Sequence, residues 1–156
     1  IVVAILAIVI NSAAPAVVSA IESQRVNGLA HNLSYLFKQA RAEAARKNTD
    51  VFVVFTITSA TDWCVGLSDT NNACDCTTAA ACIIDNMEYV VDDADFLNVT
   101  LATNTNPYTI EPIRGRGSAG TVNIELNGKD INLVRDIMGR LTICSPTGNS
   151  SRYAKC

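Results

Sequence analysis

Six cysteines are the side chains with the clearest capacity for chemistry in this chain. They are Cys64, Cys74, Cys76, Cys82, Cys144 and Cys156. Cysteines at this density are typical of proteins from an oxidising compartment, such as a periplasm or the cell exterior, where they form disulfides. Cys74 and Cys76, with Cys64 or Cys82, could instead supply thiolates to zinc, but the paired CxxC spacing of structural zinc sites is missing. We therefore expect disulfides and no metal site.

The spacing of the cysteines indicates part of their pairing. Cys144 and Cys156 lie twelve residues apart at the C-terminal end. We expect them to close a terminal loop, a cross-link that contributes about 3 kcal/mol in the chain-entropy model. A direct ring between Cys74 and Cys76 would be small and strained, so these two are expected to bond outward to Cys64 and Cys82. The sequence leaves open which of the two bonds to which.

The other chemically capable groups do not indicate catalysis. His31 is the single histidine and lies in a helical stretch without an evident serine or cysteine partner. The acidic turn 92–95 has carboxylates, but no EF-hand pattern follows it, so we expect a solvated turn. The segment 114–120, RGRGSAG, lacks the spacing and lysine of a phosphate-binding loop and is expected to be flexible and basic. We expect no enzyme activity and no cofactor.

Length and charge bound the remaining possibilities. The 156 residues have room for one domain of ordinary size in addition to an apolar helical stalk. The net charge of −3 opposes nonspecific attraction to nucleic acid and to anionic lipid, because both are themselves negative. Any contact with either partner must therefore be local.

The elements that position these side chains begin with an uncharged segment, residues 1–21. As a helix, this segment would span about 30 Å, the thickness of the hydrocarbon core of a bilayer. It can lie in a membrane or in a packed bundle of similar helices, and the sequence does not separate the two. Pro15 removes a backbone donor, so we expect a kink near residues 12–15. Residues 22–156 are expected to form the globular head, including the amphipathic half of the helix.

The helical pattern continues over residues 22–47 with a stripe of apolar side chains at steps of three and four. The stripe consists of Val26, Leu29, Leu33, Leu36, Phe37, Ala40 and Ala44. We expect this face to pack on the head.

Strand signals follow the helix. Residues 51–59 give the strongest signal and should be central in the sheet. The strands 122–126 and 131–134 flank Asn127-Gly128, the best hairpin signal in the chain. Further short strands are predicted at 62–67, 88–91, 99–103, 108–110 and 141–144, and residues 73–86 are predicted to form a loop held by cysteines. The sequence thus predicts an α+β fold, with an antiparallel sheet wrapped on one long helix.

The order of four segments resembles the type IV pilin superfamily. IVVAILAI, followed by Pro15, resembles the middle of a pilin N-terminal helix. Residues 37–55, 110–126 and 131–144 resemble the helix-to-strand junction, the glycine-containing turn and the final strand pair, with its Gly-Arg turn, of the FimT/GspH group of minor pilins and pseudopilins. The resemblance covers both ends of the chain well and the cysteine-rich middle, 64–107, poorly.

This resemblance implies a partner set and a location. The apolar helix is expected to anchor the protein in the bacterial inner membrane as a single pass, among lipid and the pilus assembly machinery. It then packs against other minor pilins and the major pilin in an extracellular pilus, with the head in the periplasm or outside. The prepilin peptidase site of the family would precede Ile1, so we expect that Ile1 is not the native start.

Three functions follow as hypotheses from the resemblance. The first is a structural minor pilin that primes or caps pilus assembly at the tip, and the second is a type II secretion pseudopilin. The third is a tip module that contacts DNA or a surface through exposed cations. These candidates are Arg114, Arg116, Arg140, Arg152 and Lys155. DNA-binding members often have a Gly-Arg-x-Arg motif, whereas here Gly139-Arg140 is followed by Leu141-Thr142, so the second arginine is missing.

Overall fold

The computed structural model has one long helix, and all of the strands follow it in the chain. The structure describes residues 2–70, 74–148 and 152–156, with their side chains from residue 17 onward. Helix α1 spans Val2–Lys47 and has Arg46 and Lys47 in its last turn, where cations suit the negative end of the helix dipole. Asn48 follows with a φ of 51°, a left-handed conformation that commonly ends helices.

The strands of the described residues form two four-stranded sheets and a small hairpin. They are β1 (Val51–Ser59), β2 (Asp62–Ser68), β3 (Ile83–Ile84), β4 (Met87–Glu88), β5 (Val90–Asp92), β6 (Thr100–Thr103), β7 (Tyr108–Ile110), β8 (Gly120–Leu126), β9 (Lys129–Arg135) and β10 (Leu141–Cys144). The first sheet has the order β5-β2-β1-β7 and the second the order β10-β9-β8-β6, while β3 and β4 form a small hairpin. All of the pairs are antiparallel.

The α+β fold on one long helix is confirmed, and β1 is an interior strand as predicted. The prediction of one sheet is wrong, since β6 and β7, neighbours in the chain, belong to different sheets. Strand β6 pairs with β8, whereas β7 pairs with the first three residues of β1. Short strands specify which of their faces is buried but not which strand they pair with, so periodicity did not reveal the division.

The hairpin predicted at Asn127-Gly128 joins β8 to β9. Asn127 has a φ of 50° and Gly128 a φ of 77°, the positive values that a type I′ turn requires at both central residues. This turn also contacts α1. Lys129 Nζ donates to Ser19 Oγ at 2.8 Å, and Asn127 Nδ2 donates to Glu22 Oε1 at 2.6 Å. The hairpin therefore holds α1 at the level where the helix leaves the head.

The core lies between α1 and the two sheets. Every position of the predicted apolar stripe is buried. Phe37 packs edge-to-face on Tyr108 with ring centroids 5.2 Å apart, an arrangement that aromatic pairs favour. Trp63 is also buried, and its indole Nε1 donates to the backbone oxygen of Val99 at 2.9 Å. Burial of the stripe stabilises the head by about 1.5–3 kcal/mol for each large apolar side chain.

Three disulfides join the six cysteines in the pairs Cys64–Cys76, Cys74–Cys82 and Cys144–Cys156. The terminal bridge is the predicted one, and Cys74 and Cys76 bond outward as expected. Gly66 shows how tightly the second bridge packs on β2, since a Cβ there would lie 2.3 Å from Cys82 Sγ. Residue 73 of the predicted loop 73–86 lies outside the described residues. The bridges Cys64–Cys76 and Cys74–Cys82 hold the described part, 74–86, and its end pairs in the β3–β4 hairpin.

The N-terminal part of α1 extends beyond the head. Val17 and Val18 are 56% and 54% exposed, in contrast to the buried stripe that follows. Of the helices in the described part of the chain, none has the length and apolarity needed to cross a membrane. The predicted membrane or filament-core role of segment 1–21 and the predicted kink at Pro15 concern residues whose side chains are largely outside the described set. Both stay predictions.

Candidate functional site

A groove of about 490 Å³ runs between the second half of α1 and the β9–β10 hairpin. We call it the basic groove, because four cations line it and its described lining contains no carboxylate. The cations are Lys38, Arg41, Arg135 and Arg140. Its apolar floor consists of Phe37, Ile110, Leu141 and Ile143. The groove therefore offers positive charge around an apolar surface.

Arg135, the last residue of β9, is the fixed part of the basic groove. The alternation along β9 turns its side chain inward, and it is only 3% exposed. Its Nη2 donates to the backbone oxygen of Gly115 at 2.9 Å, and its Nη1 donates to the backbone oxygen of Ser118. Burial lowers the pKa of Arg135; Asp136 and Tyr108 act in the opposite direction, and the nearby Arg41 adds to the lowering. The guanidinium stays charged, because arginine is effectively always protonated in proteins.

The segment 114–120 is held in place by these bonds, so the prediction of a flexible loop is wrong. Glu111 N donates to the oxygen of Arg116 at 2.8 Å, and Gly115 N donates to the oxygen of Glu111 at 3.0 Å. Gly117 N donates to the oxygen of Ile137 at 3.3 Å, which ties the segment to the β9–β10 turn. The glycines and arginines suggested a solvated loop, but their backbone groups are paired within the fold.

The turn between β9 and β10 packs against the same segment. Gly139 has a φ of 84°, and a Cβ at this position would lie 2.2 Å from the backbone oxygen of Gly115. Asp136 Oδ1 shapes the turn by accepting hydrogen bonds from the backbone N–H groups of Met138 and Arg140, both at 2.9 Å. Glycine is therefore required at 139 by backbone conformation and by close approach together.

The cations from α1 complete the rim of the basic groove. The side chain of Arg41 covers Gly115, where a Cβ would lie 2.5 Å from Arg41 Nε. Within the described residues, neither Lys38 nor Arg41 makes an ion pair or a side-chain hydrogen bond. Arg140 differs, since its Nε lies 3.7 Å from Asp136 Oδ2. The rim thus has uncompensated positive charge.

The five cations predicted from the sequence do not gather at one place. Arg140 lines the basic groove, whereas Arg116 lines a separate depression with Glu111. Arg114 and Arg152 are exposed elsewhere, and Lys155 pairs through its backbone with Ser145. Their shared contact with DNA or a partner stays a prediction.

Three cations of the basic groove were missed in the sequence. Lys38 and Arg41 are three residues apart on a helix, a spacing that places both on one face, and this signal was available. Arg135 had no such signal. An arginine that follows an alternating strand pattern is normally taken to mark the end of the strand, so its inward orientation was not predicted.

A second polar surface lies on the acidic turn, a 3-10 turn at Asp93–Asp95. Asp92 Oδ1 caps it by accepting from Ala94 N at 3.1 Å. The side chains of Asp93 and Asp95 have no ion pair or hydrogen bond in the part of the chain that is described. Among those same residues, no group of three or more histidine, cysteine or acidic side chains is placed to hold a metal ion.

Comparison with known proteins relates this head to one family. A family model described as type II transport protein GspH matches residues 29–155. Two crystal forms of the type IV minor pilin FimU from Pseudomonas aeruginosa strain PAO1 resemble the chain, with TM-scores of 0.56 and 0.52 and 17% identity. These matches cover 81% and 78% of this chain and 92% and 94% of FimU. A comparison with curated proteins finds no match.

The family match and the likeness to FimU support different conclusions. At this identity, the likeness to FimU shows the fold, a long helix packed on antiparallel sheets. The family match covers most of the chain and includes the predicted helix-to-strand junction, glycine-containing turn and final strand pair. The chain therefore belongs to the GspH family of type II transport proteins, in the FimT/GspH group of minor pilins and pseudopilins.

Proposed function

We propose that this protein is a structural minor pilin that primes or caps a type IV pilus at its tip. The observation that supports this most is the way α1 leaves a GspH-family head. Val17, Val18 and Ile21 are each exposed by 45% or more where the helix emerges from the head. Adjacent exposed apolar side chains are unfavourable in water and mark a surface that another apolar surface covers. Neighbouring pilin helices would supply that cover.

The uncharged segment 1–21 would extend this surface. Covering an apolar helix of that length removes on the order of 2,000 Å² of apolar surface from water. Each Å² contributes a favourable free energy of about 25 cal/mol. Lipid and a bundle of pilin helices can each keep the segment out of water, since both are apolar. A subunit can therefore wait in the inner membrane and move into the filament without exposing the segment to water.

A type II secretion pseudopilin is the second candidate, favoured by the description of the family model that matches residues 29–155. Its apolar helix would also need to be covered by lipid or by neighbouring helices, but its filament would serve protein export. The two roles therefore differ in the phenotype of a strain that lacks the protein.

The test is pilus number by electron microscopy in a deletion strain that is complemented with variants of this gene. The native gene should restore piliation, and Val18→Asp should fail because it places a charge where helices pack. Gln24→Asp is the matched control, since residue 24 is an exposed polar position on the same helix. Exported proteins are measured in parallel. Normal piliation with lost export would replace the pilin role with the pseudopilin role, and normal results in both would refute the two together.

A further inference from the structure

The dipeptide Asn-Gly occurs twice in the chain, at Asn27-Gly28 and at Asn127-Gly128. An asparagine that precedes glycine is prone to deamidation, because glycine has no side chain to keep its backbone nitrogen away from the asparagine amide. The fold places the two copies in opposite surroundings. The first lies within α1, and the second forms the turn between β8 and β9. The two copies therefore separate the effect of the dipeptide from the effect of the fold.

Deamidation begins when the backbone nitrogen of the glycine loses its proton and attacks Cγ of the asparagine. A bond forms between that nitrogen and Cγ, the bond between Cγ and Nδ2 breaks, and the side-chain nitrogen leaves as ammonia. Water then adds to one carbonyl of the resulting succinimide ring and opens it, which leaves an aspartate or an isoaspartate. The reaction consumes water, releases ammonia and needs no other reactant.

The first dipeptide, Asn27-Gly28, is protected by the helix. Within α1 the N–H of Gly28 is held in the helical hydrogen bond to the carbonyl four residues earlier, so its nitrogen is not available for attack. The side-chain oxygen of Asn27 is buried, and the adjacent residues Val26 and Leu29 belong to the core. Reaction here requires that the helix opens within the head, and core helices are the most costly elements to open.

The second dipeptide, Asn127-Gly128, lacks this protection. Both residues are exposed, and within the described part of the chain the N–H of Gly128 donates no hydrogen bond. The strand pairing ends with Leu126 and Lys129, on either side of the turn. A Cβ at Gly128 would meet nothing within 4 Å, so there is space for the ring to form. The turn must open before the nitrogen can attack, and an exposed turn opens at low cost.

The amide that deamidation removes is one of the contacts between the head and α1. Asn127 Nδ2 donates to Glu22 Oε1 at 2.6 Å, and the neighbouring Lys129 Nζ lies 3.8 Å from Glu22 Oε2. An aspartate would replace the donor with a negatively charged acceptor, and two carboxylates at this distance repel each other. An isoaspartate would add a backbone atom to a turn whose geometry depends on two residues. Either product weakens the contact between the turn and the helix.

We propose that Asn127 deamidates spontaneously in the folded protein while Asn27 does not, and that the product releases the β8–β9 turn from α1 where the helix leaves the head. The reaction is irreversible under these conditions, because the ammonia is lost to solvent. The extent of the change therefore increases with the age of each molecule, and older molecules have a looser junction between helix and head than new ones.

The first experiment compares the two asparagines in one sample. The full chain in neutral detergent is incubated at mildly alkaline pH, digested at acidic pH and analysed by mass spectrometry for aspartate and isoaspartate at each position. Asn127 should react about tenfold faster than Asn27, or more, because only Asn27 needs the helix to open. A digest of the same protein, incubated in the same way, is the control, since its peptides lack the fold.

In the digest, the two asparagines should react at rates within about twofold of each other, because both precede glycine. Equal rates in the folded chain would overturn the proposal. So would a folded chain in which Asn127 stays intact while the digest reacts.

The second experiment tests the release of the turn by exchanging donor and acceptor. Asn127→Asp imitates one product and should raise the equilibrium constant of unfolding about fivefold, because a hydrogen bond to a carboxylate is lost. Adding Glu22→Gln should restore most of the stability, since the new amide can donate to the new carboxylate. Asn32→Asp is the matched control, an exposed position on α1 with the same change in charge, and should stay within about twofold of the native chain.

Two outcomes would refute the release of the turn. They are an Asn127→Asp variant as stable as the native chain, and a double variant no more stable than Asn127→Asp alone. Neither experiment depends on the filament role. A deletion strain without pili would therefore still support the pilin role if Asn127 proved inert.

Discussion

Arg135 Nη2 donates a hydrogen bond of 2.9 Å to the backbone oxygen of Gly115, twenty residues earlier in the chain. This bond joins the end of β9 to the segment that follows β7, and it links the two sheets at the basic groove. A buried charge is stable only when such bonds replace its water. Arg135 is therefore a structural residue as well as part of the groove.

Arg135→Met should destabilise the head by about 2–4 kcal/mol, because the carbonyls of Gly115 and Ser118 would lose a charged donor. Urea unfolding followed by the fluorescence of Trp63, the single tryptophan, measures the change. Arg140→Met is the control, since that side chain is 81% exposed and should cost about 0.5 kcal/mol or less. Equal losses in the two variants would show that the buried bonds do not stabilise the head.

Gly139→Ala should cost more than Gly128→Ala. Both glycines have positive φ, so each substitution brings backbone strain of about 1–2 kcal/mol. At Gly139 the new methyl would also meet the oxygen of Gly115 at 2.2 Å, whereas at Gly128 nothing lies within 4 Å. Unfolding free energies of the two variants measure the clash directly. An equal cost would mean that the turn and the segment do not pack as described.

Replacing both Cys144 and Cys156 with alanine should lower the free energy of unfolding by about 3 kcal/mol, because the unfolded chain regains the freedom of the closed loop. Denaturation without reductant measures this change, and the native chain with reductant provides a comparison in which all three bridges open. Peptide mapping of the unreduced protein should also find Cys64 with Cys76 and Cys74 with Cys82. The alternative connectivity would refute the described loop.

Asp85 should titrate below its ordinary range. Hydrogen bonds from Arg46 and then Lys47 lower the pKa of this carboxyl from 3.8. A lowered folded pKa means that the ion pairs stabilise the protein above the unfolded pKa, and that this contribution disappears as pH falls through the folded pKa. Carboxyl NMR across acidic pH measures the midpoint.

Arg46→Ala should raise the pKa of Asp85 toward 3.8, because Arg46 supplies the largest cause of the shift. The distant exposed substitution Arg114→Ala should leave the midpoint of Asp85 unchanged. Equal midpoints in the native chain and in Arg46→Ala would contradict the ion pair at the end of α1.

Local patterns predicted much of the fold. The stripe on α1, the interior strand β1 and the Asn127-Gly128 hairpin each depend on residues within a few positions of one another, so periodicity and turn chemistry were enough. The basic groove combines Lys38, Gly115, Arg135 and Gly139, which meet only through the pairing of strands. Their spacing in the sequence does not indicate that these residues are neighbours. The cations that were predicted from the sequence lie on several separate surfaces.

The buried stripe also determines how the head would respond to a pulling force along α1. From Val26 to Ala44 the stripe covers about 27 Å of helix, and all of its positions pack in the same core. Tension on the helix is therefore shared by every one of these contacts in shear, together with the β8–β9 turn at Ser19 and Glu22. We therefore expect the helix and the head to resist a pulling force as one mechanical unit.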